Sequence, residues 1–153
     1  MSNPKDDVWL RSPGTGDRVQ RLGEEIRFRS SLPAKLNEMA ILVTARFWSS
    51  QYEWHSHCKL ALDAGLDPAV AQDIAEGRHP AKIDADESII YDFSQELHEK
   101  PGVSDATHKR ALDRFGERGV FDLIAVNGFY SLVSMCLNVD RTPLPDGVPR
   151  PLE

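Results

Sequence analysis

Apolar residues recur every three or four positions along most of this chain, which is the period of an amphipathic α-helix. Alternating runs rich in β-branched residues, which would indicate strands, are absent, and proline and glycine fall between the periodic segments. The pattern predicts an all-α bundle of about six to seven helices with a helical-hairpin core.

Start and stop signals divide the periodic regions into individual helices. Gly65 is a typical helix end, and Asp67-Pro68 is a typical helix start. The pattern does not decide whether the chain breaks at Ser49-Ser50 or continues there as one helix. Helices are predicted at residues 17–28, 33–47, 50–65, 68–76, 84–100, 104–115 and 120–138.

The chain length of 153 residues is typical of one domain with a buried core, which we assign to residues 15–140. Residues 1–14 are predicted to be an extended N-terminal arm, anchored on the domain by Trp9 and Leu10. Residues 141–153 form a proline-rich tail, RTPLPDGVPRPLE. We expect this tail to be extended, and ordered only where it lies on a neighbouring surface.

Composition and charge narrow the class of protein. Apolar residues make up 41% and charged residues 27% of the chain, as in ordinary globular proteins. A net charge of −6 and a pI near 5.4 argue against a nucleic-acid partner. The N-terminus lacks the apolar stretch of a secretory signal, and polar residues interrupt the apolar segment 119–139, so we expect a buried helix rather than a membrane span. A cytoplasmic location is the resulting expectation.

Candidate chemistry is concentrated in SSQYEWHSHC, residues 49–58. Residues two apart diverge by about 200° around a helix, so His55 and His57 point in different directions and no metal-ligand set is predicted. Ser50, Glu53 and His57 instead share one helix face, and Arg46 joins it if the helix is unbroken. A carboxylate, an imidazole, a hydroxyl and a cation are suited to proton transfer beside a carbonyl or to decarboxylation.

Glu38 interrupts the otherwise apolar segment LNEMAILV, where an unpaired carboxylate would be costly. It either forms an ion pair with Lys35 or Arg46, or faces Glu53 and His57 across a helical hairpin. The alternative interpretation of the whole polar face is a solvated surface with an ordinary Glu–His pair.

Three stretches, NEMAILVTAR, YEWHSH and ALDAGL, together resemble the carboxymuconolactone decarboxylase and AhpD-like superfamily. The resemblance covers about residues 10–145 and is densest at 31–66. The AhpD-like branch carries a Cys-x-x-Cys pair, and here Ser50 and Glu53 occupy its two cysteine positions. His57 falls on the histidine that follows the pair, and Glu38 on the upstream glutamate. The missing cysteines argue against a disulfide-based peroxidase, and Glu53-x-x-x-His57 is similar to the decarboxylase branch.

The resemblance implies an AhpD-like bundle that handles a small carboxylated lactone or related acid without a cofactor. It also implies a homo-oligomer, trimer or hexamer, with sites near subunit contacts. Glu53 and His57 would transfer the proton, and Glu38 would act as a second acid or orient them. Arg46 would anchor a substrate carboxylate, and Ser50 is a further substrate-binding candidate. Packing is an equally good interpretation for the remaining pocket candidates, Trp54, His55 and Tyr130.

Two other classes of function remain open. One is a peroxidase-like redox protein that uses Cys58, although no cysteine lies within four positions of it and Cys136 is predicted to be buried in the core. The other is a non-catalytic oligomeric binding protein, in which the acid/base face is exposed or packed without a cavity. Arg27 and Arg29 either close the pocket or lie in an interface. Neither nucleic-acid nor membrane partners are predicted.

Overall fold

The computed structural model describes residues 8–152, and this part of the chain contains helices but no strands. The prediction of an all-α fold is therefore confirmed. The helices are α1 (Pro13–Phe28), α2 (Ala34–Phe47), α3 (Gln51–Asp63), α4 (Pro68–Ala75), α5 (Ala85–Glu99) and α6 (Asp105–Asp140).

Helix α2 lies at the centre of the bundle and packs against α3, α4, α5 and α6. Between Leu36 and Ala45 every residue except Glu38 is buried. A helix that is apolar around its whole circumference needs cover on all sides, and the four neighbouring helices supply it. Glu38 is thus the one charged group that this core helix carries along its buried length.

Local signals in the sequence fix the helix ends. Asp84 and Glu87 form a capping box at the start of α5, in which each side chain accepts a hydrogen bond from the other residue's backbone N–H, at 2.8 and 2.9 Å. Asp67 caps α4 and precedes Pro68 at its first position. Gly65, at φ +97°, makes the left-handed turn between α3 and α4.

The chain does break between α2 and α3. Helix α2 ends at Phe47, and Ser49 adopts a left-handed backbone conformation with φ 48°. Helix α3 then begins at Gln51 with Ser50 as its N-cap residue. The two helices pack side by side as a hairpin, so Arg46 does not share a helix face with Glu53 and His57.

Helix α6 is longer than predicted because its two halves are joined by a kink. We expected helices 104–115 and 120–138 with a separate linker, but only Gly116 leaves helical geometry, with φ 69° and ψ 178°. Within residues 8–152, α6 is the one helix long and apolar enough to cross a membrane, by length and composition alone. In the bundle, 44% of its most apolar window is buried.

The two residues that we expected to anchor the N-terminal arm, Trp9 and Leu10, lie in different environments. Trp9 packs on the core, and its carbonyl oxygen would lie 2.7 Å from a Cβ at Gly16, so the close approach requires glycine. Leu10 is 68% exposed and does not anchor the arm. Helix α1 begins at Pro13, within the predicted arm, and residues 1–7 lie outside the described residues.

The C-terminal tail lies on its own chain. Leu152 is 2% exposed and belongs to the main hydrophobic cluster. The side-chain amide of Gln51 donates to the Leu152 carbonyl at 2.6 Å and accepts from the Leu152 N–H at 3.0 Å. The surface that orders this end of the tail is therefore the first turn of α3.

Candidate active site

His57 lies between two glutamates that come from the two helices of the α2–α3 hairpin. Glu53 precedes it by one turn on α3, and its Oε1 is 2.9 Å from His57 Nε2. Glu38 approaches from α2, with its Oε2 2.7 Å from His57 Nδ1. We call Glu38, His57 and Glu53 the carboxylate–histidine triad.

Accessibility falls steadily from one end of the triad to the other. The Glu38 side chain is 13% exposed, the His57 side chain 3% and the Glu53 side chain 0%. The triad therefore connects a carboxylate at the edge of the core with one deep inside it. Of the three side chains in the triad, that of Glu38 is the most accessible to solvent.

The partners of His57 determine its charge. Burial by itself would lower the pKa of His57. The hydrogen bonds that its ring donates to Glu38 and Glu53, together with the negative charges of these carboxylates, outweigh burial and raise the pKa. The raised pKa favours the protonated imidazolium. In this form both ring N–H groups donate, one to each carboxylate.

Tyr130 on α6 packs its ring edge-on to His57, with 4.9 Å between the ring centroids. It is 2% exposed, and burial together with the nearby charge of Glu53 raises the pKa of its hydroxyl. Tyr130 therefore stays a neutral phenol that can donate a hydrogen bond. Its hydroxyl makes no hydrogen bond to the rest of residues 8–152.

A cavity of about 250 Å³ opens beside His57 and Tyr130, between α1, α3 and α6. Arg27 also lines this cavity and is the one arginine among its lining residues. Arg27 stacks on the Phe28 ring and forms no ion pair within residues 8–152. The other lining residues are Trp9, Val19, Gln20, Gly23, Glu24, Phe28, Phe129 and Val133.

The segment that builds most of this site has a recognisable family pattern. Residues 13–85 match the model of the carboxymuconolactone decarboxylase family. Over these residues the chain is similar to the carboxymuconolactone decarboxylase family. The matched segment, which we call the family segment, contains the whole triad and Arg27, whereas Tyr130 lies outside it. No curated protein matches the chain.

Arg46 lies in the family segment but away from the triad. It lines a cavity with Val43, Phe47, Ile74, Gly77, Tyr91 and Gln95, and a second cavity with residues of α4 and the tail. Neither cavity includes Glu53 or His57. The expectation that Arg46 shares the acid/base face depended on an unbroken helix, and the turn at Ser49 removes that condition.

Arg27 and Arg29 take different places on the same helix end. Arg27 faces the cavity, as one of the two interpretations required. Arg29 instead pairs with Glu25 at 3.4 Å and lies near Glu24 at 3.9 Å on the surface. No signal in the sequence distinguishes the positions of Arg27 and Arg29, because both are arginines at the C-terminal end of α1.

The remaining candidates, Ser50, Trp54 and His55, differ in burial and in their contacts. Ser50 is fully buried, and its hydroxyl has no hydrogen-bond partner within residues 8–152. Trp54 is 4% exposed and belongs to the hydrophobic cluster, so packing explains it. His55 is half-buried, and it does not line the cavity beside His57.

The cysteines and possible metal ligands add no further chemistry to the described site. Cys58 and Cys136 are both free and partly buried, and burial raises the pKa of each thiol. A raised thiol pKa lowers the thiolate fraction that peroxidase chemistry needs. Across residues 8–152, no three His, Cys, Asp or Glu side chains are grouped in a way that could hold a metal ion.

Proposed function

We propose that this protein is a cofactor-independent acid/base enzyme that acts on a small carboxylated lactone or a related acid, as a carboxy-lyase. The observation that carries the proposal is the buried carboxylate–histidine triad beside a cavity with a cationic wall. The match of residues 13–85 to the carboxymuconolactone decarboxylase family supports the same reaction class.

The graded burial of the triad suggests a role for each member. Loss of CO₂ breaks a carbon–carbon bond and leaves its electron pair on the substrate, so a proton must be delivered to that carbon or to a conjugated atom. We assign this delivery to His57, the triad member that lines the cavity. Glu53, fully buried, orients His57 and stabilises its charged form. Glu38, the most accessible member, holds the other ring nitrogen and returns a proton to His57 after turnover.

Substrate binding in this proposal depends on Arg27. A carboxylate that enters the cavity meets Arg27 there in addition to the ring of His57, and Arg27 has no competing ion pair within residues 8–152. Tyr130 offers a neutral hydroxyl donor to a carbonyl or lactone oxygen. Arg27 therefore takes the anchoring role that the sequence suggested for Arg46.

Turnover of a carboxymuconolactone-type substrate by the purified protein tests the proposal. Glu38→Gln, Glu53→Gln and His57→Gln should each lower kcat by at least about a hundredfold, as expected for lost general acid/base catalysis. Arg27→Gln should mainly raise KM, by about tenfold or more, because it removes a charge-assisted hydrogen bond. Arg29→Gln is the matched control and should leave both constants unchanged.

The same assay separates the alternatives. Wild-type protein that releases no CO₂ but consumes a peroxide, with the activity lost in Cys58→Ser, would favour the redox function. Binding without turnover would favour the non-catalytic function. Full decarboxylase activity in all three triad variants would mean that the triad does not transfer the proton.

We further propose a cytoplasmic homo-oligomer, a trimer or hexamer, for which the family match and an exposed apolar face of α6 are the support. Exposed apolar side chains recur on this face three, four or eight residues apart along the helix, and such patches are common at protein interfaces. They are Phe121, Ile124, Leu132, Met135 and Val139. Sedimentation equilibrium should give a mass of three or six chains, and Leu132→Glu should reduce it; a wild-type monomer would refute the assembly.

A further inference from the structure

Two arginines without ion-pair or hydrogen-bond partners in residues 8–152 line one cavity, which shares no lining residue with the cavity beside His57. Arg46, in the last turn of α2, and Arg150, in the tail, both line a cavity of about 470 Å³. Neither makes an ion pair or a side-chain hydrogen bond within residues 8–152, and Arg46 Nε is buried without a partner. A buried guanidinium donor normally has an acceptor, so this one is open to a group from outside residues 8–152.

The acidic residue on the cavity wall is already engaged. Glu76 accepts a hydrogen bond from the Gln72 side chain at one carboxylate oxygen and pairs with Arg78 at the other. Arg78 also pairs with Asp73, but neither of these residues lines the cavity, where two arginines face the single carboxylate of Glu76. The cavity is left with an excess of positive charge.

The backbone beside Arg46 leaves space for its guanidinium. Gly77 has φ +70°, and a Cβ there would lie 3.2 Å from Arg46 Nη2. Glycine both adopts the left-handed conformation easily and keeps this approach open. Gly77 thus allows Arg46 to extend between α4 and the tail.

The second arginine is positioned by the docked tail. Arg150 is two residues before Leu152, which is buried in the core and held on both sides of its backbone by Gln51. The docking of Leu152 therefore brings Arg150 to the cavity wall opposite Arg46.

We propose that Arg46 and Arg150 form a binding site for a small dianion, separate from the cavity beside His57. Two guanidinium groups present planar forks of N–H donors, which suit a carboxylate or a phosphate group. The shared chemistry is a compact group with several anionic oxygens, and either a dicarboxylate or a phosphate can supply it. A bound dianion would join the tail to α2 and hold Leu152 in place against α3.

Calorimetric titration of the full chain with succinate and with inorganic phosphate tests the site, with neutral succinamide as the control ligand. Arg46→Gln and Arg150→Gln should each weaken binding by about tenfold or more, because each removes charge-assisted hydrogen bonds. Arg21→Gln, which removes an exposed arginine of α1 paired with Asp17, should leave the affinity unchanged. The ligand that binds more tightly identifies the source of the anionic oxygens.

A second variant tests the role of the tail without changing any charge. Leu152→Ala should also weaken anion binding, and anion binding should slow amide hydrogen exchange in residues 141–152 of the wild type. The proposal is overturned if neither anion binds the wild type, if succinamide binds as well as succinate, or if both arginine variants keep wild-type affinity. Activity on a lactone substrate does not enter this test, so its result is independent of the proposed reaction.

Discussion

Two histidines inside the bundle, His57 and His98, have opposite electrostatic environments. His57 lies between two carboxylates, at 2.7 and 2.9 Å. His98 on α5 has only neutral neighbours: its Nε2 is 2.9 Å from the Thr44 hydroxyl, and its ring stacks on Phe47. Burial lowers the pKa of His98, whereas the pKa of His57 is raised although it is more deeply buried.

The difference shows that partners, and not depth, decide the charge of a buried imidazole. Thr44 also donates towards the carbonyl of Ala40 and the side chain of Asn127, so His98 belongs to a neutral network that joins α2, α5 and α6. Such a network fixes the packing of helices. The triad around His57 instead holds charged groups beside a cavity.

Removal of the His57 ring should have the largest effect on stability. His57→Leu leaves Glu38 and Glu53 in the core without their cation, which should lower the free energy of unfolding by roughly 3–5 kcal/mol. Urea denaturation measures this change. His98→Leu is the matched control and should cost clearly less, about 1–2 kcal/mol, because it leaves no charge unpaired. Equal losses in the two variants would contradict the comparison.

Thr44→Val should disturb the neutral network alone. The substitution keeps the shape of a fully buried side chain but removes the hydroxyl that His98 and Asn127 share, at a cost of about 1–3 kcal/mol. The exposed Thr15→Val is the control and should be close to neutral. NMR titration should show a changed pKa for His98 and an unchanged one for His57; a shift of both would mean that the two regions are coupled.

The dependence of stability on pH should have opposite signs for the two histidines. His57, with a raised pKa, contributes stability in full below its unfolded pKa of about 6.5, and this contribution is lost as the pH rises through its folded pKa. His98, with a lowered pKa, contributes above about 6.5 and loses the contribution as the pH falls through its folded pKa. Each contribution changes by at most about 1.4 kcal/mol per pH unit.

Unfolding free energies from pH 5 to 9 can separate these two contributions. Glu38→Gln removes one partner of His57 and so lowers its folded pKa, and the loss of stability at high pH should therefore end at a lower pH and be smaller. His98→Gln should remove only the loss on the acid side. An unchanged pH profile in Glu38→Gln would show that the carboxylate does not hold the proton of His57.

The smallest effect should come from an ion pair with the same spacing on the surface of the same helix. Lys59 and Asp63 are four residues apart on α3, as Glu53 and His57 are, but their side chains are 79% and 59% exposed. Lys59→Ala should change stability by no more than about 0.5 kcal/mol, since solvent screens an exposed pair. A loss above about 1 kcal/mol would show that an exposed pair of this spacing stabilises the helix without burial.

Local sequence signals predicted the helices better than the site. The ends of α4 and α5 follow from capping residues such as Asp67 and Asp84, whose hydrogen bonds lie within the next three residues. The pairing of Glu53 with His57 follows from helical spacing, which is likewise local. These features need no knowledge of how the helices pack.

Contacts between helices could not be read in the same way. Glu38 had several possible partners, and Lys35 turned out to pair with Asp84 and Glu87 instead. Tyr130 reaches His57 from α6, 73 positions later, and helical periodicity shows only that it faces inward. Whether Arg46 shares a helix face with Glu53 and His57 depended on the backbone conformation of one residue, Ser49.

The turn at Ser49 keeps the positive charge of Arg46 away from the helix face that carries Glu53 and His57. With His57 protonated, the triad carries one more negative than positive charge. A continuous helix would put Arg46 two turns before Glu53 on the same face, where its charge would balance that excess. Because Ser49 turns the chain, the excess persists, and it would repel an anionic substrate wherever Arg27 did not offset it. In the proposed reaction, the left-handed turn at Ser49 therefore makes binding of the substrate's carboxylate depend on Arg27, which lines the cavity.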